Sequence, residues 1–374
     1  MSEMRAVHTP TSRWWSEAGD TYVLGVVRVA IGLFLFWEAL RSGRELTTNG
    51  YFGDHFHMSF LPESLVPSRL GYSVLLASSL LLSVLVTVGH RAKFALLASA
   101  ILGLYLLLCD RLQFHHNRYS LLCFAFLLSL APCERTFAIT RPPPGEAARF
   151  GPLWAQRLVQ AQLSVIYLAS GGSKLLDDDW RRGLVIGDRF ARYAYQALDR
   201  GIPHGVVDFA SQPVITSALA KIAIATELFL AFGLWMKRTR VFALWWGTMF
   251  HLTIQVTSQV EIFTWLSLTI YALFATPDVH TRKLFFDRSR VKGVVLARLV
   301  GALDWLARFE IRAWEPDKLK TGHVLVIVRR DGTRATGIRA LAMVARCVPL
   351  LFPLWAPLAF LASFTKGGEA SARA

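Results

Sequence analysis

The chain has 374 residues, 53% of them hydrophobic, and 41 Lys and Arg against 26 Asp and Glu give it a net charge of +15. A soluble chain of this size carries about 25% charged residues, whereas this one carries 18%, clustered between long uncharged stretches. That distribution argues against a soluble fold and against a nucleic-acid surface, because the basic residues sit beside apolar runs where membrane loops concentrate them.

Residues 1–20 are polar, lack a cleavable signal peptide, and carry Trp14-Trp15 as an interfacial anchor before the first apolar run. A transmembrane domain is expected over 21–276, with about eight spans near 22–40, 71–88, 93–109, 119–131, 156–175, 215–236, 241–257 and 260–274. The fourth and eighth are short. Arg91 and Lys93, then Arg135, Arg141, Arg149 and Arg157, then Lys237, Arg238 and Arg240 mark the loops after spans two, four and six as cytoplasmic. Both termini are then cytoplasmic, in a multi-pass protein of the plasma membrane, or of the inner membrane in a bacterium. The loop 176–213 mixes arginines with Trp180, Phe190, Tyr193 and Tyr195 and reads as interfacial helices. A Pro-Pro-Pro-Gly run at 142–145 breaks the chain, and Pro277 ends the membrane part.

Beyond it the periodicity changes. Strands are expected at 283–286, 309–314 and 324–329, helices at 290–307 and 336–347, and a turn at Asp331-Gly332. The run 349–364 is apolar but interrupted by Pro349, Pro353 and Pro357, so it packs or touches the membrane rather than spanning it. Residues 365–374 form a flexible tail. This region holds 17 Lys and Arg against 8 Asp and Glu, +9 of the net +15. The fold class is thus an all-α polytopic membrane bundle with a small C-terminal α/β domain. The cysteines Cys109, Cys123, Cys133 and Cys347 form no CxxC pair and no zinc spacing, so they read as packing residues and no metal is expected.

A polar group inside a bilayer needs a reason. Lys174 ends a span after the small run Ala169-Ser170-Gly171-Gly172-Ser173. It reads either as a base whose pKa burial lowers or as an ammonium snorkelling to the interface. The cluster His115-His116-Asn117-Arg118-Tyr119 is a polar site or an ordinary loop; adjacent histidines on a helix diverge by ~100°, which disfavours a shared metal. His251 and Glu227 lie within spans seven and six, as interhelical hydrogen-bonding groups or as parts of a site. The loop charges put His115, His116, Lys174 and His251 near one leaflet.

Several of these segments occur in an order that resembles the HTTM family, whose transmembrane domain is shared with vitamin K-dependent gamma-carboxylase. They are Arg28 in Val27-Arg28-Val29, Gly50-Tyr51-Phe52, the Asn117 cluster, Tyr167, Gly171, Lys174-Leu175, Asp179-Trp180, Gly183 and Phe250-His251. The resemblance implies a lyase-like membrane enzyme that uses a reduced quinone of the vitamin K or menaquinone type. Lys174 would be the base that deprotonates the quinol, assisted by His251 and His116. His115, Asn117, Tyr119, Tyr167, Trp180, Glu227 and Arg28 would lie around the substrate. It implies the bilayer, a quinone and a protein or peptide substrate as partners. Arg118 stands where the family commonly has histidine, and a guanidinium is no general base. The alternative class is a non-catalytic membrane binding, assembly or peptide-maturation factor with the tail as a docking module. Residues 281–364 resemble a DCC-type thioredoxin-like domain, with Arg290 and Gly293 at the two cysteine positions, so no disulfide exchange is implied.

Overall fold

The computed structural model describes residues 17–50, 57–109, 111, 114–140, 150–199, 201–258, 262–275, 282–313, 324–329 and 331–365. The expectations for Trp14-Trp15, Tyr51-Phe52, the breaker at 142–145, Pro277 and residues 366–374 lie outside them. The chain divides into two compact units, residues 1–275 and 276–374.

The first unit is helical. Its long elements are α1 (Tyr22–Asn49), α2 (Arg69–Val88), α3 (Ala92–Cys109), α4 (His116–Ser129) and α5 (Trp154–Leu176). Three shorter helices follow, α6 (Asp178–Arg182), α7 (Leu184–Asp199) and α8 (His204–Ala210), then α9 (Pro213–Gly233), α10 (Arg240–Ser258) and α11 (Phe263–Tyr271). Four of these, α1, α2, α3 and α9, are long and apolar enough to cross a membrane. They expose Leu70, Leu81, Phe94, Ile101 and Ile222, an apolar surface that suits lipid and not water. At 1.5 Å per residue, α4 and α11 are only about 21 and 14 Å long against a hydrocarbon thickness of ~30 Å. The structure fills the loop 176–213 with α6, α7 and α8.

Local chemistry sets the ends of these helices. Ser68 Oγ accepts a hydrogen bond from the Gly71 amide at 3.2 Å and starts α2, and Gly89, in the left-handed region at φ 78°, ends it. On α5, Gln156 and Gln160 look like flaws in a span until their partner is seen. Both side-chain amides donate to the Leu273 carbonyl, at 3.0 and 2.8 Å, which fastens α5 to the 3-10 turn Ala272–Phe274 that closes α11. The strands β1 (Ala18–Asp20) and β2 (Phe150–Pro152) form a short antiparallel ribbon with Gly19 opposite Gly151. It was not expected, because three residues carry no legible alternation.

The second unit contains β3 (Arg282–Phe286), α12 (Val291–Leu303), β4 (Phe309–Ala313), β5 (Leu325–Val328), β6 (Arg334–Thr336), α13 (Gly337–Cys347), a 3-10 segment (Pro349–Leu354) and α14 (Trp355–Ser363). The sheet order is β4-β3-β5-β6; β3 and β4 are parallel and the other pairs antiparallel. Leu284 lies at its centre, opposite Ile311 on one side and Ile327 on the other, and packs with Val300, Phe309 and Val344. The expected turn is present: Gly332 takes φ 80°, and Asp331 Oδ1 accepts from the Thr333 amide at 2.9 Å. The unexpected strand is β6, again three residues long. Pro353 sits within the 3-10 segment and Pro357 in the first turn of α14, where a missing amide costs little.

Candidate functional site

The site is built on the last three turns of α5. Tyr167, Ser170, Gly171 and Lys174 recur at i, i+3, i+4 and i+7 and therefore share one helix face. Gly171 makes that face usable. A Cβ there would lie 3.1–3.2 Å from Leu228 and Glu227 of α9, so only glycine lets the two helices approach without displacement. Across this contact Lys174 Nζ donates to Glu227 Oε1 at 2.5 Å and to Ser170 Oγ at 2.9 Å, and Ser170 Oγ donates to the same Glu227 oxygen at 3.1 Å. The pair is largely enclosed, with Lys174 18% and Glu227 8% exposed in their side chains. Glu227 Oε2 is buried and has no hydrogen-bond partner among the described residues.

After α5 the chain turns over Lys174. Asp177 caps α6 by accepting from the Trp180 amide at 3.0 Å and sets the indole over the ammonium, with Nζ 4.8 Å from the ring centroid. Gly183 ends α6 at φ 81°, where a Cβ would lie 2.4 Å from the Ser217 amide nitrogen. Glycine is required there both by the conformation and by the approach to α9. Arg189 of α7 lies over the same indole at 5.5 Å. These elements and α10 enclose a pocket of about 360 Å³, lined among others by Lys174, Trp180, Phe190, Ile222, Trp246 and Phe250. The volume lies within the ~300–1,000 Å³ of small-molecule sites. Trp246 is held by its Nε1–H donating to Thr226 Oγ1 at 2.9 Å. The pocket is thus an aromatic-walled slot with cationic groups at one end.

His251 follows Phe250 on α10 but is only 1% exposed, in a hydrogen-bonded chain. The Tyr167 hydroxyl lies 2.6 Å from His251 Nε2 and 2.6 Å from the Tyr271 hydroxyl. Gly247 makes room, because a Cβ there would lie 2.2 Å from the Tyr271 oxygen. Tyr167, two turns before Lys174 on the same face of α5, joins His251 to that helix. Of Lys174, His251 and His116, the three residues expected to be catalytic, only Lys174 lines the pocket.

The cluster at the start of α4 divides. His115 Nδ1 accepts from the Asn117 amide at 3.2 Å, which caps the helix, and its ring stacks on His116 at 4.2 Å. Asn117 is 1% exposed, and its amide oxygen and nitrogen both lack partners among the described residues. Tyr119 is 46% exposed. Arg118 turns to α1, with Nε 2.9 Å from Glu38 Oε2, so it ties two helices together. Arg28 is fully buried and donates to the carbonyls of Phe137 at 2.6 Å and of Cys133 and Thr87 at 3.4 Å. These carbonyls gather at the far end of α4 from His116, so the structure does not bring Arg28 to the Lys174 pocket. Sequence reasoning missed Ser170 and Tyr271 as site residues. Each is a hydroxyl within an apolar helix, and the need to satisfy it was the available signal. Among the described residues no group of three His, Cys, Asp or Glu is placed to hold a metal.

A family model described as HTTM domain matches residues 17–279. No curated protein and no solved structure matches the chain.

Proposed function

The chain belongs to the HTTM domain family, and on that premise we propose that it is a multi-pass membrane protein that binds a reduced quinone in the Lys174 pocket and deprotonates it. The observation that carries this reading is Lys174 itself. It is a largely enclosed ammonium at the end of an aromatic slot of about 360 Å³, with a carboxylate and a hydroxyl at hydrogen-bond distance. The pocket fits the group by chemistry: indole and phenyl walls suit a fused aromatic ring, and the lysine end suits its hydroxyl. A bound quinol supplies an ionisable ring hydroxyl and an oxygen-reactive ring. The chain's own part is a proton transfer. Lys174 passes its proton along its hydrogen bond to Glu227 Oε1, and the neutral amine then takes the proton of a hydroxyl placed beside it. Trp180, Trp246 and Phe250 hold the ring and keep water away. The buried Tyr167, His251 and Tyr271 brace α5, α10 and α11 behind the site.

By the same resemblance, the protein is similar to vitamin K-dependent gamma-carboxylase. About eight crossings with both termini cytoplasmic remain part of this proposal; by length and apolarity α1, α2, α3 and α9 supply four of them. A thioredoxin-like second unit is supported by its β-α-β start, its β-hairpin and the helix α13 that follows.

Protein in lipid nanodiscs, given reduced menaquinone or vitamin K, oxygen and bicarbonate, is expected to form quinone epoxide, measured by mass spectrometry, and Lys174→Ala is expected to form none. No epoxide from folded wild-type protein would sink the proposal for these quinols. A second reading rests on the same contact: a lysine held 2.5 Å from a carboxylate ties α5 to α9 as an interhelical ion pair, as a non-catalytic binding or maturation factor would have it. Quinol retention without epoxide, equal in wild type and Lys174→Ala, would favour that reading.

A further inference from the structure

The second unit contains a cavity unrelated to Lys174. It measures about 320 Å³ and is lined among others by Arg329, Arg334, Arg339, Arg346, Trp355 and Ser363. The fold concentrates charge here for a simple reason. Arg329 leaves β5, Arg334 enters β6, and Arg339 and Arg346 lie seven residues apart, two helical turns, on one face of α13. No carboxylate lines the cavity, and among the described residues none forms an ion pair with Arg329, Arg334 or Arg346. Arg329 Nε is buried with no partner among them. Like charges gathered in a concave site repel one another, and a bound anion removes that repulsion. Guanidinium forks match the oxygens of a phosphate.

The fourth wall of the cavity is α14, which contributes Trp355, Ala359, Ala362 and Ser363 from one face. The opposite side of the same segment presents Leu350, Leu354, Phe360, Leu361 and Phe364 to the outside, Phe364 at 72% exposure. An arginine-lined cavity beside an exposed apolar ridge with a tryptophan between them matches the layers of a lipid surface: phosphate, interface and acyl chain. We propose that this unit docks on anionic lipid, with the headgroup phosphate held by Arg329, Arg334, Arg339 and Arg346 and the acyl chains lying along the outer face of residues 350–364. The unit's net +9 draws it to such a surface, and its covalent link to a membrane unit keeps it near one.

The test uses the full chain in detergent micelles, titrated with short-chain phosphatidylglycerol, with phosphatidylcholine of the same chains, or with inorganic phosphate. Amide hydrogen exchange over residues 334–363 is the readout. Phosphatidylglycerol is expected to slow exchange there, and the other two are not. Arg334→Gln with Arg346→Gln is expected to need about twenty-five-fold more phosphatidylglycerol, since each basic residue near an anionic surface contributes a factor of about five. Arg298→Gln, an exposed change on α12 with the same loss of charge as either single change, should titrate like the wild type. Lipid-free exchange in β3 and β5 reports whether the double variant is folded; if it is not, each single change should shift the titration by about fivefold. Equal slowing by phosphatidylcholine would mean apolar adsorption alone and overturn the proposal. Equal slowing by inorganic phosphate would make this a free-phosphate site and overturn the lipid assignment. Slowing that follows protein rather than lipid concentration would assign the ridge to a second copy of the chain and overturn it too.

Discussion

At the scale of single residues, the Lys174–Glu227 pair decides most. Breaking a buried ion pair by removing one partner costs about 3–5 kcal/mol, while replacing both by apolar groups of similar size is often neutral. Lys174 retains some exposure, so the lower part of that range applies. Glu227→Gln is expected to lower thermal stability by about 3 kcal/mol, and Lys174→Met with Glu227→Leu is expected to recover most of it. A double variant as unstable as the single one would mean that the pair does not act as a unit. Tyr167 is the second such residue. Its hydroxyl serves both His251 and Tyr271, so Tyr167→Phe leaves two buried polar groups short of a partner, at a cost of about 1–3 kcal/mol. Denaturation of Tyr167→Phe, Tyr271→Phe and the pair should show strong non-additivity, because one contact is lost in all three; simple addition of the two losses would contradict the geometry.

At the scale of elements, the glycines separate into those that set helix spacing and those that do not. A Cβ on Gly32 of α1 would lie 2.3 Å from Thr87 Oγ1 and 2.8 Å from the Thr87 amide nitrogen of α2. Backbone cannot give way as a side-chain tip can, so Gly32→Val is expected to force the two helices apart at about 1–3 kcal/mol. Gly43 lies on the same helix with nothing within 4 Å of its Cβ position, and Gly43→Ala should stabilise by about 0.5–1 kcal/mol through helix propensity alone. Thermal unfolding of the two variants tests both signs, and equal effects would refute the assignment of α1–α2 packing. Gly293 belongs to the same class. Its Cβ position lies 2.6 Å from the Asp287 carbonyl, so a side chain there needs the start of α12 to shift.

At the scale of the whole molecule, the two units differ in what holds them. The first is apolar helices facing lipid. The second is a small sheet whose turns rest on carboxylates in water. Hydrogen bonds from Ser289 and Thr333, first among the causes, hold the carboxyls of Asp287 and Asp331 below their ordinary value. A depressed folded-state value means that each contributes stability that is complete above the unfolded range and lost as pH falls through the folded value. Acidification from about pH 7 to about pH 3 is therefore expected to loosen the β3–β6 sheet, read as opening equilibria by hydrogen exchange. Unchanged opening of the sheet over that interval would count against it.

The sequence by itself determined that this is a helical membrane protein followed by a small basic α/β unit, and where most helices and the Asp331-Gly332 turn lie. Those features depend on neighbours along the chain: a lipid-facing segment satisfies its own backbone bonds only as a helix, so a long apolar run declares itself. It also singled out Lys174, Glu227 and His251 as polar groups in need of partners. The pairings were decided only in the tertiary structure. Lys174 finds Glu227 across 53 positions, Tyr167 finds His251 across 84, and Arg28 reaches the Phe137 carbonyl across 109. The ribbon of β1 and β2 joins segments more than 100 residues apart. Such contacts depend on the rotation and spacing of packed helices, which Gly171 and Gly247 set by what they omit, and hydropathy along a single chain carries no record of which faces meet.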